Sequence, residues 1–151
     1  MKIGGFQKCS LIDYPGDISA VIFTQGCNFR CPYCHNSELI PRQNSTCSFD
    51  EEQILAFLEK RRGFLQGIVI SGGEPTLQKD LPRFITKVKK MGYRVKLDTN
   101  GSNPVLLSDL LNDHLIDYIA MDVKAPLHKY HRVSGSRVSP AAIEKSIEII
   151  S

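Results

Sequence analysis

Three closely spaced cysteines are the residues of this 151-residue chain best suited to chemistry. Cys27, Cys31 and Cys34 have the spacing C-x3-C-x2-C and follow an apolar run directly. Three thiolates this close together can hold three irons of a [4Fe–4S] cluster, which normally takes four cysteine ligands. A metal site that lacks one protein ligand keeps a position open for a small molecule. The triplet therefore indicates a cluster with one open iron, rather than a closed electron-transfer centre.

A zinc knuckle or ribbon is the alternative for the triplet, because C-x2-C pairs are common in zinc sites. Such a site needs a fourth ligand, and His35 is poorly placed to share one tetrahedral ion with the adjacent Cys34. The spacing alone leaves zinc open as the less favoured interpretation. The two isolated cysteines, Cys9 and Cys47, are expected to be ordinary free thiols.

Composition narrows the class of protein. The chain has 19 Lys+Arg against 16 Asp+Glu, a net charge of +3, without a basic run, so nucleic-acid binding is not indicated. The first six residues lack the apolar core of a signal peptide, and no apolar run approaches membrane-spanning length. Three of the five cysteines cluster in ligand spacing, which favours a reducing compartment over a disulfide scaffold. We expect a cytoplasmic protein with no membrane partner.

Strand and helix signals alternate along the chain. Apolar, β-branched runs predict strands at 18–24, 67–71, 93–99 and 117–123. Helical patterns follow each strand: from a capping box formed by Ser48 and Glu51 to Gly63, at 79–91, at 104–112, and from Ser139-Pro140 to the end. Residues 2–7 predict an extra edge strand, with a turn at 13–16. The pattern predicts an α/β domain with four β/α units, a parallel sheet and right-handed crossovers.

Each unusual motif directly follows a predicted strand. The cysteine loop follows the first strand, and the segments 72–75, 98–101 and 122–124 follow the next three. In parallel α/β folds the loops at the carboxyl ends of the strands share one face, and that face carries the active site. The four motifs are therefore expected at one rim of the sheet.

The residue types at this rim suit ligand binding. Gly72 and Gly73 have no Cβ, so a ligand can approach their backbone, although a glycine pair also makes a tight turn. The Glu74 carboxylate can accept a charge-assisted hydrogen bond from an ammonium group. Asp98 and Asp122 lie at comparable places on neighbouring strands.

If both aspartates are buried, their two charges need a proton, a cation or a lysine between them. Lys124, two residues beyond Asp122, is on the same face of an extended chain and could serve. A simple Asx-type turn explains Asp98 equally well.

The triplet, with Tyr33 just before Cys34, and the later Gly72-Gly73-Glu74 resemble the radical SAM superfamily. In that superfamily the open iron chelates the amino and carboxylate groups of S-adenosylmethionine, and an electron from the reduced cluster cleaves the sulfonium to a 5′-deoxyadenosyl radical. The resemblance implies that the Gly-Gly-Glu segment binds the methionine amine. It also implies that Tyr33 packs near cluster and cofactor, and that His35, with Asn36, contacts the adenine side.

The opening segments 4–8 and 10–16 resemble the anaerobic ribonucleoside-triphosphate reductase activating proteins, relatives of the pyruvate formate-lyase activating enzymes. Such enzymes carry Asp-Thr-Asn-Gly and Asp-hydrophobe-Lys at the strand ends. This implies that Asp98, Asn100, Asp122 and Lys124 contact the cofactor, with a monovalent cation as a further candidate ligand.

The implied reaction is hydrogen abstraction from a glycine Cα of a partner, here the anaerobic ribonucleoside-triphosphate reductase. Cluster and cofactor carry this chemistry, so no catalytic side chain is assigned. The electron donor would be a protein such as flavodoxin or ferredoxin.

Two other functions and one question of length stay open. The chain could be a radical SAM enzyme acting on a small molecule or modified base, such as a carboxy-deazaguanine synthase, or a non-catalytic iron–sulfur or zinc protein. The resemblance implies a partial barrel of six β/α units, whereas 1–151 provides four and stops within an amphipathic helix. We expect the N-terminal part of a longer radical SAM core domain, the alternative being a naturally short activase.

Overall fold

One five-stranded sheet organises the chain in the computed structural model, which describes residues 1–40 and 49–151. Its strands stand in sequence order and are β1 (Ile3–Tyr14), β2 (Asp17–Thr24), β3 (Gly67–Gly72), β4 (Arg94–Thr99) and β5 (Tyr118–Met121). Strands β2 to β5 are parallel, as the sequence predicts. The edge strand β1 is antiparallel to β2 and much longer than predicted, so the hairpin turn shortens to the two residues between them.

The helices follow the strands in the predicted order. They are α1 (Glu51–Lys60), α2 (Leu81–Lys90), α3 (Pro104–Asn112), α4 (Tyr130–Ser134) and α5 (Pro140–Ile150). The predicted cap of α5 is present, since the Ser139 side chain accepts from the backbone of Ala142 and Pro140 is the first helical residue. None of the helices in the described ranges is long and apolar enough to cross a membrane.

The start of α1 differs from the predicted capping box. Ser48 lies outside the described residues, and the Asp50 side chain accepts a hydrogen bond from the Glu52 backbone instead. Glu51 opens the helix, and its carboxylate binds Lys87 at 3.0 Å and the Met1 amino group at 2.8 Å. Glu51 thus ties α1 to α2 and to Met1.

The main core lies between the sheet and helices α1 to α3. Side chains that alternate along the strands, such as Ile22, Ile70 and Leu97, are fully buried against Leu58 and Phe84. Along the same strands, Val21 and Val69 face the other way and pack with Tyr14 and Phe23. The helices therefore cover one face of the sheet, whereas on the other face the side chains of neighbouring strands pack against one another.

Strand β5 is the second edge of the sheet. Within the described residues it pairs with β4 alone, and Tyr118 is 44% exposed while Ile119 and Met121 are half-buried. Such exposure is typical of the last strand of an open sheet.

Helix α4 was not predicted. It follows a 3-10 turn at Leu127–Lys129, has five residues, and ends at Gly135 in the left-handed conformation. So short a segment has no helical period to read, and tertiary contacts decide its structure. Its contacts with the cysteine loop give it a role in the site.

Candidate active site

A cavity of about 300 Å³ opens at the carboxyl ends of the parallel strands. It brings together the cysteine loop and the segments that follow β3, β4 and β5. Every site candidate named from the sequence lines it: Cys27, Cys31, Tyr33, Cys34, His35, Gly72, Gly73, Glu74, Asp98, Asn100, Asp122 and Lys124, together with Phe29, Asn36, Ile40, Ser71 and Thr99.

The three cysteines of the loop are free thiols and half-buried. Burial raises the pKa of the Cys27 and Cys31 thiols. The Phe29 backbone N–H donates to the Cys27 sulfur at 3.3 Å and works against that rise. In residues 1–40 and 49–151, no three His, Cys, Asp or Glu side chains converge closely enough to hold one metal ion. Cys9 is exposed on β1, and Cys47 lies outside the described residues.

The cysteine loop is held in place by contacts with α4, which follows β5. Phe29, between two of the cysteines, is 2% exposed and packs edge-on against Tyr130, with ring centroids 6.3 Å apart. The Arg30 backbone N–H donates to the Ser134 carbonyl at 2.8 Å. This anchor was not predicted from the sequence. An apolar Phe inside a ligand loop was the signal that could have indicated it, because such a side chain needs a partner to bury it.

The glycine pair lets two backbones approach each other. Gly72 has φ +112°, and a Cβ there would collide with the backbone of Thr24. A Cβ on Gly73 would collide with the Gly26 carbonyl, which accepts from the Glu74 N–H at 2.7 Å. The missing side chains thus serve first to bring β3 against the start of the cysteine loop.

Glu74 is 1% exposed, and both of its carboxylate oxygens accept hydrogen bonds. Its Oε1 accepts from the hydroxyls of Thr76 at 2.5 Å and Thr99 at 2.8 Å and from the Thr76 backbone, and its Oε2 accepts from the Asn100 backbone at 2.7 Å. Burial raises the pKa of the carboxyl group, and these hydrogen bonds oppose that rise. Since three donors share Oε1 and one uses Oε2, a ligand ammonium would find more free acceptor capacity on Oε2.

The two aspartates do not share one lysine, so that part of the sequence-based hypothesis is wrong. Lys96 Nζ binds Asp98 Oδ1 at 2.5 Å, and Lys124 Nζ binds Asp122 Oδ2 at 2.6 Å. The carboxylates are not both buried either, because the Asp122 side chain is 72% exposed. Sequence reasoning missed Lys96, although its spacing from Asp98 places both on one face of β4.

Lys124 lies at the mouth of the cavity between several site residues. Its ammonium sits 6.0 Å from the centre of the Tyr33 ring, besides its bond to Asp122. Burial lowers the pKa of this lysine, but the Asp122 hydrogen bond and charge outweigh burial, and the pKa is raised. The side chain is therefore a fixed cation beside the cysteine loop.

Three thiols beside the buried Glu74 carboxylate and the Lys124 ammonium form a candidate metal-cluster site on a partial (β/α) barrel. Residues 21–151 match the family model of the Radical SAM superfamily, and the chain belongs to this superfamily. Membership implies a [4Fe–4S] cluster and S-adenosylmethionine as cofactors.

The most informative relatives are named for glycyl-radical enzyme activation. A Methanocaldococcus jannaschii protein so named is 41% identical over 146 residues, which are 96% of this chain and 59% of that protein. The pyruvate formate-lyase 1-activating enzyme of Escherichia coli is 32% identical over 87% of this chain and 55% of its own length. This chain therefore spans less than two thirds of these relatives.

Solved structures support the fold. QueE from Escherichia coli matches with a TM-score of 0.50 and 21% identity, over 66% of this chain and 52% of that one. TYW1 with a lysine-pyruvate adduct bound also matches with a TM-score of 0.50 and 21% identity, over 87% of this chain and 49% of that one. At this identity the likeness concerns the α/β architecture alone.

The residues present fit the two implied cofactors. The cavity offers three thiols, which are the ligands that iron–sulfur clusters take, and within residues 1–40 and 49–151 no fourth cysteine lines it. It also offers Glu74 and Asp98 as acceptors for an ammonium group and Lys124 as a partner for a carboxylate. A zwitterionic amino-acid group therefore finds complementary charges beside the thiols.

Proposed function

We propose that this chain carries the cofactor-binding core of an enzyme that activates a glycyl-radical enzyme. The observation that carries the proposal is that one cavity is lined by three thiols, the Gly-Gly-Glu segment, Asp98 at the end of β4, and Asp122 and Lys124 after β5. The names of relatives at 41% and 32% identity support this class of reaction.

When bound, the cluster and S-adenosylmethionine supply the one-electron chemistry that abstracts a hydrogen atom from the partner's glycine. The side chains of this chain bind and orient. Cys27, Cys31 and Cys34 would hold the cluster, while Glu74 and Asp98 would accept hydrogen bonds from the methionine ammonium. Lys124 would hold the methionine carboxylate by charge.

Further roles in the same site concern the rest of the cofactor. Tyr33 is 52% exposed and lines the cavity beside His35. Tyr33 would cover one side of the bound cofactor, and His35 would contact its adenine portion. Asp122 has a largely exposed carboxylate that holds Lys124 and is the candidate ligand for a monovalent cation. Asn100 contributes through its backbone bond to Glu74.

The proposed partner is the anaerobic ribonucleoside-triphosphate reductase, with flavodoxin or ferredoxin as the electron donor. Support for this partner comes from the opening segments 4–8 and 10–16, which form most of β1 and its hairpin turn. Pyruvate formate-lyase is the alternative partner within the same class, since its activating enzyme is a relative.

The test is to reconstitute the protein anaerobically with iron and sulfide and to incubate it with S-adenosylmethionine, a reductant and each candidate glycyl-radical enzyme. Electron paramagnetic resonance should detect a glycyl radical with one of these partners, and the Cys31→Ala variant should give none. Cofactor cleavage without a radical on any candidate would contradict the activase proposal and favour a small-molecule substrate. Neither cleavage nor bound iron would favour a non-catalytic or zinc protein.

A further inference from the structure

Tyr130, the first residue of α4, connects two parts of the candidate site without lining the cavity. It is fully buried. Its hydroxyl accepts a hydrogen bond from the Lys124 backbone N–H at 3.2 Å and donates one to the Asp122 carbonyl at 3.3 Å. Its ring packs edge-on against Phe29 of the cysteine loop.

The hydroxyl holds a piece of backbone that has left the sheet. The Asp122 N–H still bonds to the Thr99 carbonyl of β4 at 3.0 Å. Past this bond the described part of the chain offers no strand to pair with 122–124, and Val123 is 56% exposed. The Tyr130 hydroxyl supplies both a donor and an acceptor to this segment, which closes 122–130 into a loop and fixes where the Lys124 side chain begins.

The ring and the far end of α4 hold the cysteine loop. Phe29 and Tyr130 form one apolar cluster with Ile143 of α5, and Cys27 and Cys31 pack against its edge. Four residues after Tyr130, the Ser134 carbonyl accepts from the Arg30 N–H. Both ends of helix α4 thus contact the cysteine loop, and its first residue also contacts the segment that carries Lys124.

We propose that Tyr130 is a positioning residue that sets the distance between Lys124 and the cysteine loop. The inference rests on the proposed function, in which Lys124 holds the methionine carboxylate while the thiols hold the cluster. The hydroxyl sets the lysine side of the site, and the ring sets the thiol side. Removing each part should therefore change a different property of the protein.

The experiment compares Tyr130→Phe and Phe29→Leu with a matched control, Tyr93→Phe. Tyr93 is also buried and donates its hydroxyl to the Leu58 carbonyl at 2.7 Å, but it belongs to the main core and not to the cluster of Phe29 and Tyr130. The readouts are iron content after anaerobic reconstitution, binding of S-adenosylmethionine to the reconstituted protein by calorimetry, and amide hydrogen exchange at Lys124.

Tyr130→Phe should keep its iron, bind S-adenosylmethionine about three- to tenfold more weakly, and exchange the Lys124 amide faster. Phe29→Leu should lower iron content, because it loosens the loop that bears the thiols. Tyr93→Phe should leave all three readouts at wild-type values while lowering the unfolding temperature. In a Lys124→Ala background, Tyr130→Phe should have no further effect on affinity, because it acts through that lysine.

The inference would be overturned by wild-type affinity in Tyr130→Phe, or by an equal loss of affinity in Tyr130→Phe and Tyr93→Phe. A wild-type protein that loads iron yet binds no S-adenosylmethionine would contradict the proposed function instead. In that case hydrogen exchange at the Lys124 amide still tests the positioning role of Tyr130, because this measurement needs no cofactor. An unchanged exchange rate in Tyr130→Phe would refute that role.

Discussion

The Glu74 carboxylate and the Asn100 backbone N–H are joined by a 2.7 Å hydrogen bond that links the end of β3 to the turn after β4. The same carboxylate takes the Thr99 hydroxyl, so one buried acid ties together two of the segments that line the cavity. Glu74 therefore has a structural task besides any contact with a ligand.

Glu74→Ala should keep the cluster and weaken S-adenosylmethionine binding by one to two decades, because a charge-assisted hydrogen bond of about 1.5–3 kcal/mol is lost. It should also lower the free energy of unfolding by about 1–3 kcal/mol, since the Asn100 N–H loses its buried partner. Calorimetry and urea unfolding measure the two effects. Thr99→Val is the control, because it removes one hydroxyl donor but keeps the carboxylate. Lost stability with unchanged affinity would assign Glu74 to the structural task alone.

The cluster should depend on three of the five cysteines. Replacing Cys27, Cys31 or Cys34 by Ala should abolish stable cluster binding, because each thiolate is expected to hold its own iron. Cys9→Ser and Cys47→Ser should leave the iron content unchanged. Iron and sulfide analysis after anaerobic reconstitution measures this. Wild-type iron in Cys31→Ala would refute the ligand assignment.

Glu51 makes stability depend on pH. Burial raises the pKa of its carboxyl group, but hydrogen bonds from the Met1 amino group and Lys87 outweigh burial, and the pKa is lowered. A carboxyl group whose pKa is lower in the folded state stabilises the fold above its unfolded pKa of about 4.3, and that stabilisation is lost as the pH falls through the folded value.

Glu51→Gln should therefore cost about 0.5–1 kcal/mol at pH 7 and much less near pH 3. Urea unfolding of both proteins at the two pH values measures the difference. Glu59→Gln is the matched control, because Glu59 forms an exposed pair with Arg62. An equal cost of Glu51→Gln at both pH values would contradict the assignment.

The sequence predicts the parts of this structure that depend on local pattern. The apolar runs and the helical periods locate the parallel strands and the helices between them, and the rule that strand ends share one face gathers the motifs at one cavity. The ion pair between Lys96 and Asp98 could also have been predicted, because residues two apart on a strand share a face.

Other features depend on contacts between distant residues. Phe29 contacts Tyr130 only in the folded chain. Tyr130 begins α4, a helix too short to show helical periodicity in its sequence. The hydrogen bonds from Thr99 and Asn100 to the Glu74 carboxylate depend on the register between β3 and β4. The sequence pattern of either strand alone does not specify that register. Sequence patterns therefore located the cavity but not the contacts that hold it together.

The most direct test of the proposed radical SAM activity is the formation of 5′-deoxyadenosine. It is measured with the anaerobically reconstituted protein, S-adenosylmethionine and a strong reductant. We predict that the wild-type protein releases 5′-deoxyadenosine and methionine, that exposure to air abolishes this, and that Cys31→Ala releases none. A wild-type protein that carries a full complement of iron and sulfide yet forms no 5′-deoxyadenosine would contradict the account.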